Sequence, residues 1–391
     1  MVANSASAKN VMKPHSEAKI RFYQMYLETY LRILISSQYV TEINIYDLFC
    51  GRGVYADGKT GSAIRAYETI LKVRHDRPSD KRIVLHLNDK NKNHINSTRQ
   101  YIEQRLFQEG QQSCEVVYSN EDASEMLKRL SEDAWKRSKR RGVRNFFFID
   151  PYGYKHIRRE FLEHLMDSGR SEIMLFLPIS FMHRFTQHAF SENVTSGSLP
   201  LQQFLTRFFD ESHPIRNEKI KVQEYIDYLT DAFSCGGKFF TASYPIERNE
   251  SNSFALFFFS THILGYENIQ HLKWKMLDSW GFGFHQSAIQ LNLFDDFFKS
   301  QWIEEKIESF RIRLFDFMIK ENRTNGSIYY FTITNGFLPK HAKDVLRVLQ
   351  EENRLRIIDY HTGEIVNRKN QFKVDYGGYK NPKYLYQIKA K

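Results

Sequence analysis

The chain has 391 residues, of which 41% are hydrophobic, 26% charged and 15% aromatic. This composition excludes disorder throughout the chain, and at roughly 150 residues per domain the length predicts two or three domains. The three cysteines, Cys50, Cys114 and Cys235, lie far apart, so they predict neither a disulfide framework nor a metal site. Sparse cysteines, a polar N-terminus and the lack of a long apolar run together favour a cytoplasmic protein.

Strands alternate with helices over the first 180 residues or so. Residues 16–36 carry apolar groups at helical spacing, which predicts an amphipathic helix ahead of the first strand. The alternation that follows predicts an α/β fold with a mostly parallel sheet and helices on both faces. The predicted strands are INIYDLF (43–49), RIVLHLND (82–89), CEVVYSN (114–120), NFFFIDP (145–151) and EIMLFLPI (172–179).

The pattern changes after Pro178. Residues 181–235 are predicted to be helical, and two β-rich runs (237–247 and 253–261) favour an antiparallel hairpin at the sheet edge. A helix at 265–280 and an aromatic segment follow. The last part has a helix at 301–322, a short strand, a helix at 339–352 and a β-pair at 355–366, an order typical of a winged helix. The predicted domains are an α/β domain at 1–280 with a helical insertion at about 181–235, a linker at 281–300 and a basic winged-helix-like domain at 301–391.

Positive charge is concentrated near the C-terminus. The formal net charge is +10, and residues 340–391 hold twelve basic and six acidic side chains, a surplus of six. A basic terminal module predicts a polyanionic partner such as DNA or RNA, although a solubilising tail has the same composition. The candidate nucleic-acid-binding residues are Lys340, Lys343, Arg347, Arg354, Arg368 and Lys369.

The first predicted strand ends in Asp47 and runs into a loop with Gly51 and Gly53. Glycine lets the backbone turn sharply and approach a ligand at the edge where open α/β sheets bind ligands. An acidic start suits a ligand with an ammonium group and hydroxyls, such as S-adenosylmethionine (SAM), better than bare phosphates. Asp47, Phe49, Gly51 and Gly53 are therefore candidate cofactor-binding residues, and an ordinary strand-to-helix turn is the alternative.

The next two strand ends are acidic as well. Asp89 follows the second strand, where a carboxylate can accept ribose hydroxyls, and Asp122 follows the third, where a side chain can meet an adenine amine. Carboxyl ends of parallel strands share one edge of a sheet, so we expect these residues to surround one nucleoside.

The fourth strand ends in Asp150-Pro151-Tyr152-Gly153, which partly matches the [ND]PPY loop of amino-methyltransferases. Asp150 is the candidate amine acceptor or base and Tyr152 the candidate acceptor contact, since aligning the amine with an electrophilic methyl is the main task of such an enzyme. Cys50 could be a nucleophile, but its place in the glycine loop favours the role of a small residue.

These residues, in this order, resemble the three-Cys-motif partner protein family of bacteria and phages. The resemblance covers residues 19–355 or so. It implies a Rossmann-like class I SAM-dependent methyltransferase fold, a C-terminal winged-helix-like piece and a metal-cluster partner protein of radical-chemistry type. It rests on the YL-rich helix at 19–34, on DLFCGRGVYADGKTGSA (47–63) with Asp57, Gly58, Gly61 and Ser62 in place, on the DPYG loop, on Arg184, on FFFSTH (257–262) and on Trp274.

The leading hypothesis is a SAM-dependent methyltransferase that acts on nucleic acid or on a nucleic-acid-linked target. The alternative is a non-catalytic protein that binds nucleic acid or a partner and keeps the methyltransferase fold as a scaffold. The imperfect DPYG loop and Arg52 in the cofactor turn are the features that favour this alternative.

Overall fold

The structure is a computed structural model that describes residues 11–109, 113–137, 141–191, 194–249, 252–277, 283–285, 295–366 and 371–389. The chain divides into two compact units. Unit 1 comprises Met1–Gly265 and Gly283–Ile289, and unit 2 comprises Tyr266–Phe282 and Gln290–Lys391. Most of the aromatic segment around the predicted linker lies outside the described residues.

One sheet of eight strands forms the centre of unit 1. The strands are β1 (Glu42–Asp47), β2 (Arg82–Asn88), β3 (Glu115–Ser119), β4 (Val143–Ile149), β5 (Ser171–Leu177), β6 (Phe240–Asn249), β7 (Asn252–Ser260) and β8 (Phe284–His285). Their order is β3-β2-β1-β4-β5-β7-β6-β8. Strands β1 to β5 are parallel, and β7 is antiparallel to both β5 and β6. The predicted parallel sheet with an antiparallel edge hairpin is therefore confirmed.

Helices cover the sheet because the crossovers between parallel strands must return along its faces. The helices of unit 1 are α1 (Pro14–Ser36), α2 (Ser62–Asp76), α3 (Lys92–Glu109), α4 (Ala123–Arg137), α5 (Arg159–Asp167), α6 (Ile179–Ala189), α7 (Leu199–Phe208), α8 (Pro214–Asn217) and α9 (Val222–Phe233). Helix α10 (Ile263–Lys275) begins at the end of unit 1 and continues in unit 2. Helices α6 to α9 confirm the predicted helical insertion. No helix of the described ranges is long and apolar enough to cross a membrane.

Helix α1 packs its aromatic face on β4. The ring of Tyr23 stacks on Phe148 with centroids 4.2 Å apart, and one turn later Tyr26 stacks on Phe146 at 5.7 Å. Since later residues of α1 meet earlier residues of β4, the helix runs antiparallel to the strand. The N-terminal turns of α1 therefore lie at the edge of the sheet where β4 ends.

Unit 2 has the helices and strands of a winged helix. The elements after α10 are α11 (Asp295–Ile319), β9 (Arg323–Thr324), α12 (Asn325–Thr334), α13 (Pro339–Glu351), β10 (Leu355–Asp359), α14 (Tyr376–Lys380) and β11 (Tyr384–Ile388). The three strands form an antiparallel sheet in the order β10-β11-β9.

One local prediction for unit 2 differs from the structure, and a second is incomplete. Between 322 and 339, where one short strand is predicted, β9 is followed by a whole helix, α12. The hydroxyl of Thr324 caps this helix by accepting the N–H of Ser327 at 3.0 Å, and an apolar run of that length does not by itself distinguish strand from helix. The pair predicted at 355–366 is present: the N–H of Asp359 donates to the carbonyl of Glu364 at 2.8 Å, and the N–H of Val366 donates to the carbonyl of Ile357 at 2.9 Å. The sequence did not predict the further strand β11, which also pairs with β10.

Candidate functional site

The carboxyl ends of β1, β2, β3 and β4 meet at one edge of the sheet. Asp47 is level with Leu87 of β2 and with Phe148 of β4, and Asn88 is level with Ser119 of β3. The loops that follow these strands carry Gly51 and Gly53, Asp89, Asp122 and Asp150. The structure thus brings the predicted cofactor and acceptor residues to the same edge, which we call the carboxyl edge.

Asn88 ties three of these loops together, a role that its position in the sequence did not reveal. Its side chain is fully buried. The Nδ2 atom donates to the carbonyls of Leu48 at 3.1 Å and Glu121 at 3.2 Å, and Oδ1 accepts the N–H of Glu121 at 3.0 Å. Since buried amide groups need all these partners, Asn88 fixes the spacing between the loops after β1 and β3.

The glycine loop has the backbone that its sequence predicts. Gly51 and Gly53 have positive φ angles, 64° and 76°, a region that side chains other than glycine rarely adopt. A Cβ atom at Gly53 would come within 2.7 Å of the Thr98 hydroxyl, whereas a Cβ at Gly51 would meet nothing within 4 Å. Gly53 is therefore required by packing against α3, and Gly51 borders open space.

Asp47 lies beneath this loop rather than on its surface. It is 0% exposed, and it accepts the hydroxyl of Ser62 at 2.6 Å and the N–H of Phe49 at 3.3 Å. Burial raises the pKa of Asp47 to about 7, and the Ser62 hydrogen bond opposes that rise. Ser62 belongs to the family-like GS pair of the sequence, so that motif holds a buried acid under the loop.

Asp89 braces the loop from the side. It is 7% exposed. Its Oδ2 atom accepts the N–H of Gly51 at 3.0 Å, while Oδ1 accepts the N–H of Asn91 at 2.7 Å and lies 3.3 Å from Nδ1 of His94. A carboxylate has about four acceptor positions, so three protein donors leave room for one more.

Asp122 is more accessible, with a side chain 36% exposed and 3.3 Å from the ammonium of Lys90. Its Oδ1 accepts the N–H of Ser124 at 2.9 Å, and this bond is the main reason why the pKa of Asp122 lies below its usual value. The hydroxyl of Ser124 in turn bonds Nδ1 of His156, whose ring lies 6.0 Å from that of Phe49. His156 therefore joins the loops after β1, β3 and β4, which the sequence did not indicate.

Asp150 forms an ion pair with Lys19 of α1. The two side chains are 22% and 10% exposed, and the ammonium also lies 4.3 Å from the centre of the Phe176 ring, a cation–π contact. The pairing follows from the antiparallel course of α1 and β4, which brings residues 131 positions apart together. The sequence singled out Asp150 but did not indicate its contact with Lys19.

The remaining candidates of unit 1 occupy contrasting positions. Tyr152 is 90% exposed, so its ring is available to a ligand. Cys50 is 3% exposed, and burial raises the pKa of its thiol well above the usual value. Because a nucleophilic cysteine reacts as the thiolate, this environment supports the role of a small loop residue for Cys50.

Four of the six predicted nucleic-acid-binding residues lie in the described part of unit 2. Lys340, Lys343 and Arg347 lie on α13, where Lys340 is exposed and Arg347 pairs with Asp344 at 2.8 Å. Arg354 instead lies over the Phe315 ring, 4.8 Å from its centre, and 3.2 Å from Glu352. Arg368 and Lys369 fall outside the described residues.

Comparison with a family model identifies the C-terminal module. Residues 285–361 match the model described as the GMT-like wHTH domain, where wHTH denotes a winged helix-turn-helix. The matched residues contain α11, β9, α12, α13 and β10, and β11 lies beyond the match. The search of curated proteins returns no match.

Solved structures similar to the chain are distant. A spermidine synthase bound to the transition-state analogue AdoDATO is 12% identical, with a TM-score of 0.30, 63% of this chain and 62% of that one being covered. The METTL16 MTase domain is 11% identical, with a TM-score of 0.29, and the match covers 65% of this chain and 71% of that domain's chain. TomG, an O-methyltransferase from Streptomyces achromogenes in complex with SAM, is 11% identical, with a TM-score of 0.30. The match covers 66% of this chain and 96% of TomG.

The first of these matches spans less than two thirds of the spermidine synthase. At this level of similarity the fold assignment rests on the strand order and orientation within unit 1. The chain combines a Rossmann-like, class I methyltransferase-like sheet with a GMT-like winged helix-turn-helix.

Proposed function

We propose that the protein is a SAM-dependent methyltransferase that acts on nucleic acid or on a nucleic-acid-linked target. The observation that carries the proposal is the convergence at the carboxyl edge of an open glycine loop, the carboxylates Asp89 and Asp122, and the paired carboxylate Asp150. A winged helix in the same chain supports a nucleic-acid target.

The residues of the carboxyl edge fit SAM. The space over Gly51 has room for the amino-acid part, because nothing lies within 4 Å of a Cβ position there. Asp89 has one acceptor position left for a ribose hydroxyl, and the partly exposed Asp122 can accept the adenine amine. Asp47 and Phe49 support the loop from within it. When bound, SAM supplies a methyl group that is already electrophilic, so the protein's task is alignment.

Asp150 and Tyr152 would position the acceptor. The Asp150 side chain is more exposed than that of Lys19, 22% against 10%, and its carboxylate is the group of the pair that can accept an incoming N–H or O–H. The ion pair with Lys19 orients that carboxylate. The exposed ring of Tyr152 can stack on a base.

Calorimetric titration of the full chain with SAM tests the cofactor. We expect binding by the parent protein and at least about tenfold weaker binding by Asp89→Ala, because this variant releases the Gly51 N–H and loses the ribose acceptor. His75→Ala, which changes an exposed side chain of α2, is the matched control. If neither the parent nor the Asp89 variant binds SAM at millimolar concentration, the proposed SAM-dependent activity is refuted.

Salt dependence tests the nucleic-acid contact of unit 2. If Lys340, Lys343 and Arg347 contact phosphates, affinity falls steeply with salt, and each substitution by Ala lowers the slope of log K against log salt by about 1. Arg354→Ala should leave the slope unchanged, since its guanidinium is engaged by Phe315 and Glu352. A salt-independent affinity would contradict the contact.

The second candidate function is a non-catalytic scaffold, and the Lys19–Asp150 pair is the observation that favours it. An ammonium already bound to Asp150 occupies one oxygen of the carboxylate on which an acceptor amine would depend. The scaffold function would be favoured over the enzyme function if the protein binds SAM but transfers no methyl group to DNA or RNA. In that case Asp150→Asn should leave SAM affinity unchanged.

Membership of the three-Cys-motif partner family, with a bacterial or phage origin and a radical-type metal-cluster partner, is the finer part of the proposal. Two residues of the family-like motif make local hydrogen bonds that support it. The Ser62 hydroxyl donates to Asp47, and the Gly58 N–H donates to the carbonyl of Tyr55 at 3.0 Å. Co-purification of an iron-containing protein with the tagged full chain would test the partner, and repeated recovery without one would count against it.

A further inference from the structure

A row of aromatic rings lies on the surface of helix α6. Phe181, Phe185 and His188 follow one another at intervals of four and three residues, which places them on one face of the helix. The rings of Phe181 and Phe185 lie 4.7 Å apart, and those of Phe185 and His188 lie 6.2 Å apart. Phe181 is 51% exposed, Phe185 is partly exposed and His188 is exposed. We call these three rings the α6 row.

The core of unit 1 does not account for the α6 row. A different face of the helix fills the interior, through side chains that are at most 3% exposed: Ile179, Met182, Thr186 and Ala189. Phe185 also touches the core with part of its side chain, whereas Phe181 is mostly at the surface. An apolar ring left half exposed contributes little to folding, so the row is a candidate binding surface.

The α6 row is continuous with the acceptor loop. The ring of Phe181 lies 6.4 Å from that of Tyr154, which comes two residues after Tyr152 of the DPYG loop, and Tyr152 is 90% exposed. Helix α6 begins two residues after β5 ends, and β5 is parallel to β4, so the first turn of α6 lies at the carboxyl edge. Tyr152 and the α6 row therefore form one exposed aromatic surface next to Asp150.

The charges beside this surface favour a polyanion. The segments that carry the rings, residues 151–159 and 179–190, contain no Asp or Glu. Lys155 is exposed three residues after Tyr152, and Arg52 is exposed in the glycine loop at the end of the neighbouring strand β1. Neither cation has an ion-pair partner among the residues that the structure describes. Cations beside exposed rings suit a partner with both phosphates and flat bases.

We propose that this surface binds a single-stranded segment of the nucleic-acid target, with unpaired bases stacked on Tyr152 and the α6 row and with phosphates at Arg52 and Lys155. The inference rests on the proposed function, and it specifies the substrate as an unpaired strand. Every unpaired base offers a flat ring to an exposed aromatic side chain, whereas the bases of a duplex are stacked on one another and have to be extruded first.

Anisotropy titrations of the full chain with one labelled sequence, as single-stranded DNA, single-stranded RNA and duplex DNA, test the surface. Because unit 2 also binds nucleic acid under the proposed function, the readout is the ratio of single-strand to duplex affinity in each variant. Phe181→Leu keeps an apolar side chain but removes the ring, so it should weaken single-strand binding about tenfold and leave duplex binding unchanged. Phe181→Tyr should retain the affinity of the parent. Phe107→Leu, at a 90% exposed ring near the end of α3, is the matched control and should change neither affinity.

Arg52→Gln and Lys155→Gln should each lower the slope of log K against log salt for the single strand by about 0.7. No binding of either single strand, equal losses of single-strand and duplex affinity in Phe181→Leu, or no loss at all would overturn the inference. SAM titrations of the same proteins keep the two proposals apart. SAM binding without a ring-dependent single-strand affinity rejects only the surface, and a ring-dependent single-strand affinity without SAM binding rejects only the cofactor.

Discussion

Two carboxyls at opposite edges of the same sheet have closely similar acidity and different surroundings. Asp47 ends β1 at the carboxyl edge, and Glu172 is the second residue of β5, at the amino edge. Burial raises the pKa of each to about 7. A perturbed acid is often taken to mark an active site, yet these two acids differ in what surrounds them.

Glu172 is enclosed by packing. Its carboxylate accepts the hydroxyls of Tyr26 at 2.7 Å and Ser260 at 3.0 Å, and a Cβ atom at Gly265 would clash with it. Asp47 instead lies under a loop whose Gly51 borders open space. The comparison teaches that the open loop, rather than the acidity, distinguishes a site from a satisfied core acid.

The largest effect expected is on the pH dependence of stability, and it should be alike for the two acids. A carboxyl whose pKa is raised by folding stabilises the protein below its unfolded pKa, and this contribution is lost as the pH rises to the folded value. Asp47→Asn and Glu172→Gln should therefore become more stable relative to the parent between pH 4 and pH 8. From the pKa values, the gain is of order 3–4 kcal/mol for each.

Urea unfolding at several pH values measures this gain. Differences between variant and parent are the useful quantity, because other groups, such as His15 with its pKa lowered to about 4 by burial, cancel. If the stability difference between variant and parent does not change with pH for one of the two acids, the two acids are not alike. We expect SAM affinity to change only in Asp47→Asn, which sharpens the contrast between the two edges.

A smaller loss of stability should follow from breaking the ion pair at the carboxyl edge. Lys19→Met leaves Asp150 without its cation, which should cost about 2–3 kcal/mol in free energy of unfolding at pH 7, somewhat less than a fully buried pair. The double variant Lys19→Met/Asp150→Asn should recover most of this loss, since no lone charge remains. Urea unfolding of the four proteins forms a double-mutant cycle, and additive effects would show that the pair is not coupled.

The smallest effect distinguishes the two kinds of glycine in the loop. Gly53→Ala should cost about 2 kcal/mol, because positive φ and the contact with Thr98 both oppose a side chain. Gly58→Ala, also at positive φ but with nothing within 4 Å, should cost about 1 kcal/mol. Thermal unfolding and SAM titration of both variants measure this difference, and equal losses would show that packing against α3 is unimportant.

Much of unit 1 was predictable because its signals are local. Alternating strands and helices, with Asp47, Asp89, Asp122 and Asp150 at or directly after four strand ends, predict both the parallel sheet and the edge where these side chains gather. The partners of those side chains were not predictable. Asn88 bonds Leu48 and Glu121, and Lys19 pairs with Asp150, across separations that no periodicity encodes.

The winged helix shows the same limit. In the turn after β10, the side chain of Asp359 accepts the N–H groups of His361 and Thr362 at 2.9 and 3.0 Å. The predicted pair over 355–366 is present, but β10 also pairs with β11, whose Tyr384 and Tyr386 are buried. The sequence indicated the local pair, and the strand from farther along the chain came only with packing.

The sequence by itself determined the order of strands and helices, the glycine loop, the acidic strand ends and the basic character of the C-terminal module. Each of these depends on residues within a few positions of one another. Only the tertiary structure decided that Asp47 is buried, that Asp89 braces Gly51 and that Lys19 pairs with Asp150. The physical reason is that burial and charge pairing arise between segments that meet only when the chain has packed.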